Sequence, residues 1–568
     1  MLRIRFNLLL FIAVLVMAGT ALHPGRAQVP AFVPVTDAVL QNPNPADWLR
    51  WRRDQSGSGY SPLDQVNRQN VQKLRLAWAW AMEAGVQEQE PIVNRGVMYL
   101  PNSKGVVQAL DARTGSLIWE YRRKLPEGLG GDTTRNLAIY QDKILVTTED
   151  AYLLALDAKT GKVVWETKTG DVAKKINYST GPIVADGKVF AGLTCGTGTP
   201  VACFVSAHDV ANGKMIWRRE SVAGPEDPTA DQATWGGVPY EGRRKASFWL
   251  TGSYDASSKT LYWTTASSYP YPEILKGTGS GTLLYTDAIL ALNSETGTIK
   301  WYFQLQPRDN NDMDQQDNPI LADVEMGGTR RKAVYILGKP GILWAFDRES
   351  GAHLWNRQIV SFQNIYKTID PKTGAVTPNP EIISTKIGES HLVCPGMRGG
   401  KLFQTKAFSP RTNALYNPVS NECTMNEVVP VEKSDSGLNY DKIFHMQGSD
   451  EKVGRLSAVS AATGEVLWTY NQRAAMGSVL TTGGGLVFAG DLYRYFRAFD
   501  DQTGKVLWEI PLSGPVTGYP ISYGVDGKQY VAVAVGGGTS GQRHLARLYP
   551  ELKAPNGSNI LMVFALGE

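Results

Sequence analysis

An eleven-residue phrase recurs seven times along this chain, and it limits the fold more than any other feature. One copy is ALDAKTGKVVW, from Ala155 to Trp165. The others are ALDARTGSLIW (Ala109 to Trp119), AHDVANGKMIW (Ala207 to Trp217), ALNSETGTIKW (Ala291 to Trp301), AFDRESGAHLW (Ala345 to Trp355), AVSAATGEVLW (Ala458 to Trp468) and AFDDQTGKVLW (Ala498 to Trp508). The apolar start of each copy is a strand. The Asp and the Thr-Gly pair make a tight turn in which Gly takes positive φ. A second strand then carries Trp into a packed layer. One copy alone is a hairpin, but a series with one aromatic per unit predicts a β-propeller.

An eighth copy is expected to be divided between the chain ends. Leu561 to Gly567 (LMVFALG) reads as its first half and Leu74 to Trp78 (LRLAW) as its second. A blade built this way closes the ring and removes two exposed sheet edges. The expectation is an all-β, eight-bladed propeller, against an open stack or two separate β domains. The spacers 218–290 and 356–457 are too long for simple hairpins. They should hold extra strands and long loops, which carry function on rigid scaffolds. The polar lead-in from Asn42 to Gly59 contains Trp48 and Trp51, expected to pack on the outer face of the ring.

Residues 1–27 read as an export signal. Arg3 and Arg5 form a charged start, Leu8 to Met17 an apolar core, and Gly25-Arg26-Ala27 a cleavage point before Gln28. The apolar run is short for a bilayer span, and no Cys near the cleavage point offers a lipid anchor. The expectation is a single domain over 28–568, exported to a bacterial periplasm, with no stable membrane insertion. The four cysteines, an even number in an oxidising compartment, suggest Cys195–Cys203 and Cys394–Cys423 by proximity. No CxxCH attaches a haem, and no CxxC pair suits zinc. The formal charge of +4 includes three leader arginines, which leaves the exported chain near +1. No basic strip accompanies it, so nucleic acid is not an expected partner.

A propeller presents one obvious site, the mouth of its central channel. The strongest local candidate to line it is Pro307 to Pro319, PRDNNDMDQQDNP, where Asp309, Asp312, Asp314 and Asp317 crowd one loop. Asp312 and Asp314 alternate, so in an extended segment both face one side. Carboxylates that close raise each other's pKa unless a cation lies between them, and a hard cation is the simplest remedy. The competing reading is a solvated acidic loop.

These features resemble the quinoprotein alcohol dehydrogenases, periplasmic eight-bladed propellers that hold pyrroloquinoline quinone (PQQ) and a metal in the channel. The resemblance covers nearly all of the exported chain. It rests on the repeats and on Tyr60-Ser61-Pro62-Leu63 followed by Leu74 to Trp78. It also rests on LGKPGILWAFDRESG (Leu337 to Gly351), CPGMRGGK (Cys394 to Lys401) and Gly518-Tyr519-Pro520. The resemblance implies Asp312 as catalytic base. It implies Asp312 and Asp314 as metal ligands, the second Asp marking members that use a lanthanide. Contacts to PQQ are implied for Glu88, Arg135, Ser179, Thr180, Thr194, Cys195, Gly196 and Ser247. Trp249 would form the floor under the quinone, and Lys339 would reach its oxygens.

The chain departs from the family pattern in several places. The vicinal disulfide that caps the quinone falls at Gly130-Gly131. The metal-binding Glu falls near Thr197 and the metal-binding Asn near Ser267. An Asn beside the quinone falls at Leu402, and a pocket Trp at Met476. Thr197 and Ser267 would then supply weaker, neutral oxygens, with Asp314 compensating in charge. The cofactors implied are PQQ with Ca²⁺ or a lanthanide.

The implied reaction oxidises an alcohol to the carbonyl by Asp312-assisted hydride transfer to PQQ. Electrons would pass to a separate soluble carrier such as cytochrome c, because no haem motif is present. Small groups at Gly130 and Gly131, and Met476, imply a roomier cavity and a preference for secondary or bulky alcohols over methanol. The alternative is a non-enzymatic propeller, a scaffold or envelope assembly protein. Single residues also have plainer readings: Trp249 as one more blade Trp, Lys339 as a turn residue, Arg135 as a surface partner of Asp132, Glu88 as solvated. His208 reads as structural.

Overall fold

The turn chemistry of one repeat explains its hairpin. In the computed structural model the strand Tyr152–Asp157 ends where Asp157 Oδ1 accepts the N–H groups of Lys159 and Thr160 at 3.1 and 2.8 Å. The Gly161 N–H returns to the Asp157 carbonyl at 2.8 Å, with Gly161 at φ +70°. The chain then runs back as Val163–Lys168, antiparallel to the first strand. The structure describes residues 32–130, 134–196, 199, 203–243, 246–537, 546–553, 555 and 557–567. The export signal expected over 1–27 lies outside them.

The same eleven residues also join one hairpin to the next. Trp119 lies over Gly161, Trp165 over Gly213, Trp217 over Gly297, Trp301 over Gly351, Trp355 over Gly464 and Trp468 over Gly504. A methyl group added at any of these glycines would meet the indole at 2.5–2.7 Å. The indole N–H crosses as well: Trp119 donates to the Ala158 carbonyl and Trp217 to the Ser294 carbonyl, both at 3.0 Å.

Among the described residues, eight sheets each contain four antiparallel strands, within 92–122, 138–168, 183–220, 253–304, 320–358, 407–472, 476–511 and 521–566. The last of them takes its outer strand from the other end of the chain. Leu74–Ala81 pairs antiparallel with Ile560–Leu566, Leu74 opposite Leu566 and Trp80 opposite Leu561. Tyr60–Ser61 adds a short parallel edge to Met476–Thr482. The long spacers do carry extra structure. Ser390–Val393, Glu422–Val428 and Leu438–His445 form a separate sheet. Short helices at Thr229–Ala233 and Glu273–Lys276 make the fold mostly β rather than wholly so. Both expected disulfides are present, Cys195–Cys203 and Cys394–Cys423. No described helix is long and apolar enough to cross a membrane.

The lead-in is packed deeply among the sheets. Trp48 and Trp51 are buried. Trp48 Nε1 donates to Glu90 Oε1 at 3.0 Å, and Trp51 packs edge-on against Tyr519 with ring centroids 4.7 Å apart. Arg52, fully buried, pairs with Glu90 at 2.9 Å and donates to the Val479 carbonyl. The physical reason is that pairing. A guanidinium enters the interior only with a carboxylate to meet it, and Glu90 supplies one.

Candidate active site

The segment between the strands Ile299–Gln304 and Ile320–Met326 is not solvated. Every residue from Asp309 to Asn318 is buried. A run this polar can be buried only if its groups find partners, and the partners come from distant parts of the chain. Asn426 Nδ2 donates to Asn311 Oδ1 at 3.0 Å. Asp317 pairs with Lys401 at 2.9 Å and also with Lys406. The solvated-loop reading is therefore overturned.

Asp312 and Asp314 face one side, and Lys339 stands between them. Its Nζ lies 2.9 Å from Asp312 Oδ1, 3.1 Å from Asp314 Oδ2 and 2.8 Å from the Asp312 carbonyl oxygen. Lys339 is 3% exposed, so it is not a solvent-facing turn residue. Burial pushes the Asp312 carboxyl up to about 7, with Lys339 acting to lower it and Asp314 to raise it further. Burial by itself would lower Lys339, but the two carboxylates hold it above the ordinary lysine range. A carboxyl poised near neutrality both takes and releases protons readily at pH 7.

Trp249 joins this group, its Nε1 donating to Asp314 Oδ2 at 3.2 Å. The Arg135 guanidinium lies 5.6 Å from the centroid of the indole and donates to the carbonyls of Trp249 and Ser179 at 3.2 and 2.7 Å. Arg135 pairs with Glu88 at 2.6 Å, and Glu88 is buried rather than solvated. Asp132, the alternative partner for Arg135, lies outside the described residues. Ser179 and Thr194 share a hydroxyl bond of 2.7 Å. Ser247 Oγ accepts the Cys195 N–H at 3.0 Å, and Thr180 bonds Thr251 behind them. Gly196 turns toward Lys175, its N–H donating to the Lys175 carbonyl at 2.6 Å. Ser179, Thr194, Arg135 and Trp249 are half-buried while their chain neighbours Tyr178, Cys195, Asn136 and Leu250 are buried. The half-buried residues are also the ones that bond each other.

The expected metal ligands are only partly assembled. Ser267 donates its N–H to Asp314 Oδ1 at 2.8 Å and its hydroxyl to Asp287 Oδ1 at 2.9 Å. Thr197 lies outside the described residues. Among the described residues no three His, Cys, Asp or Glu side chains group as a metal site. Asp312 Oδ1, buried, makes no hydrogen bond of good geometry and meets only the Lys339 charge. At the departures from the family pattern, Met476 packs in a sheet core with Tyr416 and Phe499, and Leu402 is half-buried. The Gly130 N–H donates to Glu149 at 2.7 Å, and Gly131 lies outside the described residues. His208 is structural: its ring bonds Ser206 Oγ at 2.9 Å and the Gly213 carbonyl at 3.0 Å.

Some residues of the site were missed in the sequence. Tyr271 acts to lower the Asp312 pKa, and its hydroxyl donates to Tyr269, with ring centroids 4.2 Å apart. The alternation Tyr269-Pro270-Tyr271-Pro272 was a visible signal. Lys401 closed the CPGMRGGK motif without its role being legible, and Asp287 and Lys406 carried no signal.

Comparison with known proteins agrees with this geometry. The family model described as PQQ glucose/ethanol/alcohol dehydrogenase, β-propeller domain, matches residues 48–365 and 451–531. A quinoprotein alcohol dehydrogenase of Pseudomonas putida is 30% identical over 533 residues, covering 88% of each chain. A quinohemoprotein alcohol dehydrogenase of Comamonas testosteroni is 32% identical over 547 residues, covering 90% of this chain and 76% of that one. Among solved structures, a europium-containing methanol dehydrogenase superimposes with a TM-score of 0.86 at 28% identity, over 93% of this chain and 100% of its own.

Proposed function

The chain belongs to the glucose/ethanol/alcohol dehydrogenase β-propeller family of PQQ proteins, and from that premise we propose that it oxidises secondary or bulky alcohols in the periplasm. Its activity is that of a PQQ-dependent alcohol dehydrogenase rather than a propeller scaffold. The electrons pass to a separate carrier such as cytochrome c. What supports the site is the convergence of Glu88, Arg135, Trp249, Asp312 and Lys339, which lie far apart in sequence. The size preference rests on Gly130, Gly131 and Met476, which stand where the family pattern has bulkier groups.

The donor set fits a flat aromatic quinone that bears carboxylates. A half-buried indole offers a face for stacking. Arg135 and the hydroxyls of Ser179 and Thr194 lie at its flank to meet carboxylate oxygens. When bound, PQQ supplies a two-electron acceptor with an electrophilic carbonyl. Lys339 places positive charge where an oxygen gains negative charge. Asp312 takes the proton of the alcohol hydroxyl. Asp312 and Asp314, with neutral oxygens at Ser267 and Thr197, would hold a Ca²⁺ or lanthanide ion, which supplies Lewis acidity. Two buried carboxylates that already gather one cationic group are the donor chemistry that suits a hard cation.

The eight sheets are read as blades of one closed ring within a single domain. The supports are the pairing of Leu74–Ala81 with Ile560–Leu566 and the Trp508–Phe564 contact at 5.6 Å between successive sheets.

Reconstitution tests the function. Protein given PQQ with Ca²⁺ or a lanthanide should gain quinone absorbance and reduce an artificial dye, faster with a secondary alcohol than with methanol. Asp312→Asn should fold and bind PQQ yet lose turnover. Dye reduction by that variant, or none by the loaded wild type, would overturn the assignment.

A further inference from the structure

Asp312 adopts φ +63°, a left-handed conformation that costs a residue with a side chain, Asp less than most, and that nearby hydrogen bonds help to hold. The help comes from one carboxylate three residues earlier. The Asn311 N–H donates to Asp309 Oδ1 and the Met313 N–H to Asp309 Oδ2, each at 3.1 Å. The Met313 amide is the peptide plane that directly follows Asp312, and the Asn311 amide is the plane that enters the preceding residue. Asp309 is itself buried and anchored. Lys276 Nζ donates to the Asp309 carbonyl at 2.5 Å, and the Glu273 N–H donates to Asn310 Oδ1 at 2.8 Å. The helix Glu273–Lys276 is thus the footing of the loop. Asn311 is held on its other side by the Ile382 carbonyl, to which its Nδ2 donates at 3.1 Å.

We propose that Asp309 is a positioning residue for the alcohol oxidation: its carboxylate clamps the peptide plane entering Asn311 and the plane leaving Asp312, bracketing the Asn311–Asp312 pair, and so aims the Asp312 carboxylate at the substrate. The proposal rests on the reading of Asp312 as base. Two amides require two acceptor oxygens. An asparagine offers one oxygen and would point its NH₂ at the other N–H. Asp309→Asn therefore releases one of the two planes while keeping the side-chain shape.

The test loads Asp309→Asn with PQQ and measures quinone content, so that turnover is expressed per loaded site. The expected result is a fall in kcat per loaded site on the order of 10- to 100-fold. The KM for the alcohol should stay within about threefold. The deuterium isotope effect on kcat should rise with a carbinol-deuterated alcohol. Amide hydrogen exchange at residues 311 and 313 should quicken in the quinone-free protein. A purely structural role would lower thermal stability or quinone content and leave kcat per loaded site unchanged. That outcome, or unchanged exchange at both amides, overturns the proposal. If Asp309→Asn does not fold, Asp309→Ser keeps an acceptor for the Asn311 N–H and carries the same expectations. If loaded wild type oxidises no alcohol, the function fails instead, and the exchange measurement alone judges the clamp.

Discussion

Removing the Lys339 ammonium would leave Asp312 and Asp314 facing each other in a buried space. Lys339 lowers the Asp312 pKa from where burial would place it, so Lys339→Met should raise it. Turnover needs the ionised carboxylate and is lost as pH falls through that pKa. The acid limb of kcat/KM should therefore move to higher pH by about one unit or more. A limb that stays in place would mean the ammonium does not govern the base. The variant should also lose on the order of 3–5 kcal/mol of stability, read from its urea midpoint, because buried charges lose their partner. Which site residues were legible follows from how they are held. Asp312, Lys339 and Trp249 sit in local words that match a family pattern. Lys401 reaches the Gln316 carbonyl 85 positions away, and such contacts leave no mark on spacing. Asp309 was visible as one of a crowd of acids, but its task depends on the left-handed backbone of Asp312, which composition does not reveal.

The hairpins were legible because their turns are chemically local. Asp, Thr and Gly at fixed offsets are enough to bend the chain, and the Trp that follows needs only the next copy of the same phrase. That dependence can be measured. Gly297 has φ +74°, and a methyl there would meet Trp217 at 2.5 Å. Gly187 has φ +70°, with nothing within 4 Å of such a methyl. Gly187→Ala should cost about 1–2 kcal/mol from backbone strain alone. Gly297→Ala should cost roughly 1–3 kcal/mol more from overpacking. Equal shifts in urea midpoint would remove the indole from the account. The partners of the lead-in were not legible at this scale for the opposite reason. Its placement is set by Glu90 and by the Val479 carbonyl, neither of which is near it in sequence.

At the scale of the molecule, the strand Ile560–Leu566 lies between Leu74–Ala81 and Lys528–Val535 in one sheet. Ending the chain after Asn559 strips a partner from both and bares two edges. Such a protein should aggregate without a cooperative unfolding transition, as judged by sedimentation and circular dichroism. A truncated protein that unfolds cooperatively and still binds PQQ would show that this sheet is dispensable. Arg52 adds a consequence of its own, since the carbonyl it reaches lies 427 positions later. A ribosome must synthesise most of the polypeptide before that guanidinium can settle, and later still before Trp51 meets Tyr519. Contacts of such long range form slowly. The lead-in therefore settles only after most of the chain has been made, whatever the local hairpins do before then.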